Sequence, residues 1–335
     1  MLISAGIFAA VMALTFWSVF REQDFREIVS SVRKMSWEHT LSAVCLALCF
    51  VSLEGGMIWY LLRGLGEQNS LLSCISYSFI GFFFSGITPS ATGGQPMQLY
   101  YMKKDGSSLS AASVVLMTVA VCYKFALVCI GLGLLLFWGG PLKAYLREYY
   151  LLYVLGLLLH IVLVLALLSV MLSPDGIRRV LMKAEGLPVR MGIWKKSDKR
   201  REKIEQFLAG YQGTVSFLRT HKKLLGITLI FTFLQRLTVF VLTYAVYAGM
   251  GLSGASLPEV SMLQASVCIA VDMLPVPGAQ GITEVMYRSV YSGIFPADDL
   301  IPSLCVVRGI SFYLMMAVGA ICSLVRACKD WTVKK

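Results

Sequence analysis

Charge is scarce in this chain. Asp, Glu, Lys and Arg make up 15% of its 335 residues and hydrophobic residues 57%; the mean hydropathy is +0.72. A soluble domain carries charge on about a quarter of its residues. The composition therefore excludes an ordinary globular enzyme and predicts a polytopic membrane protein. Metal and disulfide signals are missing as well. The nine cysteines form no CxxC pair, and most lie inside apolar runs (Cys45, Cys49, Cys122, Cys129, Cys268, Cys322). They read as small buried apolar residues. The three histidines, His39, His160 and His221, are isolated and are assigned no chemistry. No Walker sequence, HExxH, GxSxG, EF-hand loop or cofactor fingerprint occurs, so no catalytic residue, metal or cofactor is expected.

What the chain has is apolar length. Runs over about 2–20, 41–62, 108–138, 149–172, 224–250 and 302–328 can each cross a bilayer. The first is followed by REQDFRE with no small-residue cleavage pattern, which reads as an uncleaved span. Two further apolar stretches are interrupted: 70–100 at TPSATGGQP, and 256–296 at DMLPVPGAQG.

Charge sets the expected orientation. Residues 173–223 hold thirteen Lys/Arg against five Asp/Glu, a net of +8 out of the chain's +11. The positive-inside rule places this loop in the cytoplasm, together with the C-terminal tail. The loop is too short for a catalytic domain of ordinary size. It carries no nucleic-acid-binding motif, so anionic lipid rather than nucleic acid is its expected neighbour. Within it, Ile204, Phe207, Leu208, Tyr211, Val215 and Leu218 follow helical spacing, predicting an amphipathic helix on the inner leaflet or under the bundle. Residues 21–40 carry a second such pattern at Phe25, Ile28, Val29 and Val32.

Counting back from these anchors, 256–296 starts and ends outside, and 70–100 dips from the cytoplasmic side. The expected fold is an all-α polytopic membrane protein of about six full spans plus two re-entrant broken-helix hairpins in inverted repeat. Its divisions are a membrane half at 1–172, a basic cytoplasmic loop at 173–223 and a second half at 224–335. Irregular backbone survives at membrane depth only where protein or water satisfies it, and broken inverted helices are how many transporters build a central site. The breaks are marked by Pro89, Gly93, Gly94 and Pro96, and by Pro275, Pro277, Gly278 and Gly281. The plainer alternative is that both are extramembrane loops between short spans.

Ionisable residues inside apolar segments are the candidate site: Glu54, Lys124, Arg236, Asp272, Glu284, Arg288 and Arg308. Each would cost about 2.5–3.5 kcal/mol facing lipid at a helix centre, so they are expected to face inward and pair. Three acids against four bases leave one surplus positive charge, which suits a phosphate-bearing ligand. Plainer readings stand beside this one: Arg288 snorkels to the headgroups, Asp272 ends its half-helix, and Glu284 and Arg308 form a structural pair. Helices restarting after Gly94 and Gly281 would present free N–H groups to an anion. Thr92, Gln95, Gln280 and Thr283 would add uncharged hydrogen bonds.

The segments TPSATGGQPMQLYYMKKDGSSLSAA, DMLPVPGAQGITEVMYRSVY and LCVVRGISFYLMMAVG resemble the lysylphosphatidylglycerol synthase transmembrane-region family. That family includes the flippase half of the bacterial multiple peptide resistance factor. Its Pro-x-x-x-Gly-Gly-Gln-Pro pattern matches Pro89, Gly93, Gly94, Gln95 and Pro96. Its Pro-x-Pro-Gly…Gly-x-x-Glu pattern matches Pro275, Pro277, Gly278, Gly281 and Glu284, and its late arginine matches Arg308. A departure is Ala279-Gln280, where a second glycine is usual.

The resemblance implies a multi-pass protein of the bacterial inner membrane that moves an aminoacylated or other polar-headed lipid between leaflets. Arg236, Arg308 and Lys124 would hold the phosphate, with Glu54, Asp272 and Glu284 balancing them or binding a cationic headgroup. The expected partners are membrane lipids; a separate synthase and a second copy of the chain are left open. The family also contains phosphatidylglycerol lysyltransferases, whose large cytoplasmic synthase domain has no counterpart before Lys335. Transferase activity and a scaffold role for a separate synthase are the alternatives.

Overall fold

A computed structural model of the chain describes residues 30, 32–33, 35–88, 91–173, 176–179, 181–182, 198–274 and 281–332. The expected first span at 2–20, most of the amphipathic stretch at 21–40, Pro89, and residues 275–280 lie outside these residues.

The described residues include eleven α-helices of ten residues or more and no strand: α1 (Trp37–Gly64), α2 (Leu71–Ile87), α3 (Gly94–Lys104), α4 (Leu109–Leu146), α5 (Tyr150–Leu172), α6 (Asp198–Thr220), α7 (Lys222–Gly249), α8 (Leu257–Val271), α9 (Ile282–Tyr291), α10 (Ala297–Arg308) and α11 (Met315–Thr332). Four stretches are long and apolar enough to cross a membrane: 37–64, 109–171, 222–249 and 297–328. The second folds at the 3-10 turn Arg147–Tyr149 into α4 and α5, making five spans. Large apolar side chains cover the outside, with Phe137 90%, Leu72 80% and Leu136 76% exposed. A soluble monomer does not tolerate so much exposed apolar surface; in a bilayer it faces acyl chains. The protein is an all-α polytopic membrane protein.

Local sequence places the helix ends. Ser70 and Ser108 accept hydrogen bonds from the amides of Ser73 (3.1 Å) and Ala111 (3.2 Å), capping α2 and α4. Ser256 and Glu259 form a reciprocal capping box at the start of α8. Pro96 falls in the first turn of α3, where no intrahelical N–H is lost.

One order of elements occurs twice. A 28-residue helix is followed by a 17-residue and an 11-residue helix across a break (α1, α2, α3). A second 28-residue helix is followed by helices of 15 and 10 residues across another break (α7, α8, α9). Each set then runs into a long span, α4 or α10–α11. If each hairpin returns to the face it entered, α4, α5 and α7 bring the second set in from the opposite side, which gives the expected inverted order.

α1 and α7 form the central contact. Gln235 donates to the Phe50 carbonyl (2.8 Å) and the Thr232 hydroxyl points at the Met57 sulfur (3.2 Å). The amphipathic helix expected in the basic loop is α6. Its Leu208, Tyr211, Val215 and Leu218 are buried in the same core as α1, α2 and α4, and Ser110 donates to the Phe207 carbonyl (3.1 Å). Of the two expected placements, α6 takes the one against the bundle. The last span is not a single helix: a six-residue π segment, Gly309–Leu314, separates α10 from α11. π turns concentrate at functional sites, and this one begins immediately after Arg308.

Candidate functional site

The site is built on the breaks. Asp272 occupies the C-cap of α8, where the sequence allowed for a terminating residue. Its carboxylate accepts from the Tyr123 hydroxyl (2.5 Å) and from the Lys124 ammonium, both on α4. Nε2 of His160 on α5 lies 3.0 Å from the same carboxylate. The ring's Nδ1 donates to the Gly156 carbonyl one turn back (2.7 Å). Gly156 explains why α5 comes close enough. A Cβ there would sit 2.4 Å from the Ile269 carbonyl oxygen and 3.0 Å from the Ala270 Cα, so only glycine lets α8 seat against α5 without backbone displacement. The result is a partly buried carboxylate that receives hydrogen bonds from Tyr123 and Lys124 and lies against His160, three side chains from two spans. His160, assigned no chemistry from sequence, belongs to this cluster.

Across the second break, Gly281 precedes α9 with φ +80, a left-handed conformation that glycine adopts without a Cβ clash. Glu284 falls in the first turn of α9, at the positive end of the helix dipole. Its carboxylate pairs with Nε of Arg308 at 3.0 Å. The π segment after Arg308 brings Phe312 to 4.7 Å and Tyr313 to 5.9 Å from the guanidinium carbon. The two lips of this break thus carry one carboxylate each, and each is joined to a cation on a full span.

The first break is glycine-packed. A Cβ on Gly94 would lie 2.6 Å from the Gly81 carbonyl and 2.1 Å from the Ser85 hydroxyl, so α3 starts directly against α2. The Gly93 amide donates to the Thr88 hydroxyl (2.8 Å). Thr92 and Gln95 are exposed at the start of α3. The buried glutamine of that helix is Gln98, whose amide donates to Glu54 on α1 at 2.6 Å. Thr283 sits in the first turn of α9, half-buried; Gln280, Pro275, Pro277 and Gly278 lie outside the described residues, as does Pro89.

One inward-facing assignment is corrected. Arg288 is exposed, because Met286, Tyr287, Val290 and Tyr291 take the buried face of α9. That exposure is compatible with the snorkelling alternative. Without it the interior set is three acids, Glu54, Asp272 and Glu284, and three bases, Lys124, Arg236 and Arg308, so the expected surplus charge disappears. The bases are not treated alike. Lys124 and Arg308 have carboxylates, whereas Arg236 has none within ion-pair distance among the described residues. Its guanidinium carbon lies 4.4 Å from the Phe50 ring centroid and 4.2 Å from that of Tyr123.

Long apolar helices, two glycine-rich interruptions and span cations paired with carboxylates on the shorter helices define a multi-pass integral membrane protein. More particularly, the chain belongs to the family described as Lysylphosphatidylglycerol synthase TM region, which matches residues 1–319. It is also similar to the UPF0104 membrane protein PH1989 of Pyrococcus horikoshii, 25% identical over 288 residues covering 82% of this chain and 84% of that protein.

Proposed function

We propose that this protein is a lipid translocase of the bacterial inner membrane, moving a polar-headed phospholipid or glycolipid, aminoacylated lipids among them, between leaflets. The headgroup enters the polar zone between the hairpins α2–α3 and α8–α9 while the acyl chains stay in lipid. The basic loop and the C-terminus face the cytoplasm. The carrying observation is where the charges lie. Asp272 and Glu284 flank one break, each tied to a cation on a full span, and charge at membrane depth is retained at pathways and binding sites.

The test is reconstitution of purified protein in liposomes with fluorescent aminoacyl, anionic and glycolipid probes in one leaflet. Protein-dependent transfer that falls in Glu284→Gln and Arg308→Ala bears the proposal out. No transfer of any probe, or transfer indifferent to both substitutions, refutes it. Lysyl-lipid formed from charged tRNA by the purified chain would point to transferase activity instead. Loss of a separate synthase's activity on deletion, without transport by the purified protein, would point to a scaffold.

A further inference from the structure

Arg236 is the only fully buried lysine or arginine among the described residues, at 7% exposure. Its Nε has no hydrogen-bond partner, and no hydrogen bond or ion pair engages the rest of its fork among the described residues. What surrounds the charge is aromatic: the rings of Phe50 on α1 and Tyr123 on α4. Cation–π contact attracts a guanidinium through its face and leaves the N–H groups at its edge unsatisfied. The placement is enforced, since the neighbouring Gln235 is fastened to the Phe50 carbonyl at 2.8 Å, setting α7 on α1 with Arg236 against the Phe50 ring.

Glu54, one helical turn after Phe50, is the obvious internal partner. It lies within the electrostatic reach of Arg236, yet its carboxylate takes the Gln98 amide and makes no ion pair with the arginine. A buried charge without a partner is strongly unfavourable, and a fork of unsatisfied donors matches the oxygens of a phosphate or carboxylate. Both flanking rings are only half-buried, so the edge between them is reachable.

We propose that Arg236 is an anion receptor that takes one singly charged phosphate-ester oxyanion edge-on between Phe50 and Tyr123. Lys124 and Arg308, already neutralised by Asp272 and Glu284, position the path rather than bind the phosphate. This deepens the translocase reading and rests on it for its physiological setting. Because Tyr123 also donates to Asp272, the same side chain touches the bound anion's receptor and the lip of the α8 break.

The test is thermal unfolding of purified protein in neutral detergent. It is titrated with phosphatidylglycerol, with soluble glycerol phosphate, and with diacylglycerol as the uncharged control. Phosphatidylglycerol should stabilise the wild type saturably and diacylglycerol should not. A shift with glycerol phosphate as well assigns the site to the phosphate ester from either source; a shift with the lipid alone assigns it to the headgroup in its lipid. Arg236→Gln should lose the shift while its ligand-free melting temperature stays equal to or above wild type, because an uncompensated charge has been removed. Arg236→Lys, which keeps the charge without the fork, should bind roughly 10- to 100-fold more weakly. Arg178→Gln, in an exposed pair with Glu205, should bind like wild type. An unchanged lipid shift in Arg236→Gln and Arg236→Lys overturns the proposal. So does a fall in the ligand-free melting temperature of both variants, which would make Arg236 structural. Lipid-dependent stabilisation without transfer in liposomes would sink the translocase reading alone; transfer without Arg236 dependence would sink the receptor alone.

Discussion

Asp272→Asn is the most informative single change, because the cluster around it is asymmetric. Asparagine keeps an acceptor for the Tyr123 hydroxyl but turns a donor amide or a neutral oxygen toward Lys124 and His160. Lys124, 15% exposed, is then left without a carboxylate. Breaking a fully buried pair by removing one partner costs about 3–5 kcal/mol. Asp272 retains 24% exposure, which lets water screen part of the loss, so about 2–3 kcal/mol is expected. Lys124→Met should cost less, about 1–2 kcal/mol, since Asp272 keeps His160 and Tyr123. The double variant should recover part of the sum, with a coupling of about 1.5 kcal/mol or more. Reversible unfolding in mixed detergent micelles measures all four corners of the cycle. A coupling below about 0.5 kcal/mol, the range of exposed ion pairs, would refute the reasoning. Asp272 would then be a helix terminator and not the charge anchor of two spans.

Three further outcomes are expected. Gly156→Ala should destabilise by about 1–3 kcal/mol, because the new methyl meets the α8 backbone at Ile269 and Ala270; Gly133→Ala, with nothing within 4 Å, should be neutral or stabilising in the same unfolding assay. Arg326→Ala should loosen the end of α11 by removing its 2.7 Å bond to Asp105; a disulfide-trapping pair placed between α2 and α11 should then cross-link more slowly, and an unchanged rate would contradict the role. Leu218→Asp should release α6, since this leucine has 0% exposure and a charge there costs several kcal/mol; limited proteolysis of α6 in detergent reads the release.

Much of the fold was legible because a bilayer demands long uncharged runs, and those runs are unambiguous in the sequence. Both breaks were legible for the same reason, as Pro and Gly clusters interrupting such runs. The seam in the last span was not. LCVVRGISFYLMMAVG reads as continuous helix, and only the accommodation of Arg308 beside Phe312 and Tyr313 accompanies its π turn. At the site, the charged residues could be picked out singly, but their pairings could not. Lys124 and Asp272 are 148 positions apart, and no local pattern links them. Tyr123 and His160 were missed because a tyrosine or a lone histidine in an apolar helix carries no signal of its own. The hint available was Gly156 one turn from His160, a small residue marking a close helix contact. For Arg288 the sequence left both an inward and an outward placement open, and the buried set Met286, Tyr287, Val290 and Tyr291 decides which face of α9 turns outward.

The pairings also divide by where their members sit. Glu54–Gln98 lies wholly in the first set of helices and Glu284–Arg308 wholly in the second. Asp272, by contrast, belongs to the second set and takes all three of its side-chain partners from α4 and α5. Arg236 belongs to the second set and packs against Phe50 and Tyr123 of the first. If the two sets move relative to one another, the internal pairs travel with their helices at no electrostatic cost, while the Asp272 and Arg236 contacts must slide or part. Tyr123 stands at both of these; Arg326–Asp105 and Gln235–Phe50 cross between the sets as well. A motion that withdrew its ring from Arg236 would also strain its hydrogen bond to Asp272, and an anion bridging to Arg236 would compensate the charge thereby uncovered. Tyr123 therefore links the Asp272 and Arg236 contacts, which the pair Glu284–Arg308 that the sequence singles out does not do. Tyr123→Phe, which keeps the ring and removes only the hydroxyl, separates the two contacts. It should leave lipid-dependent stabilisation intact and change the rate of transfer, and equal losses in both would contradict the division.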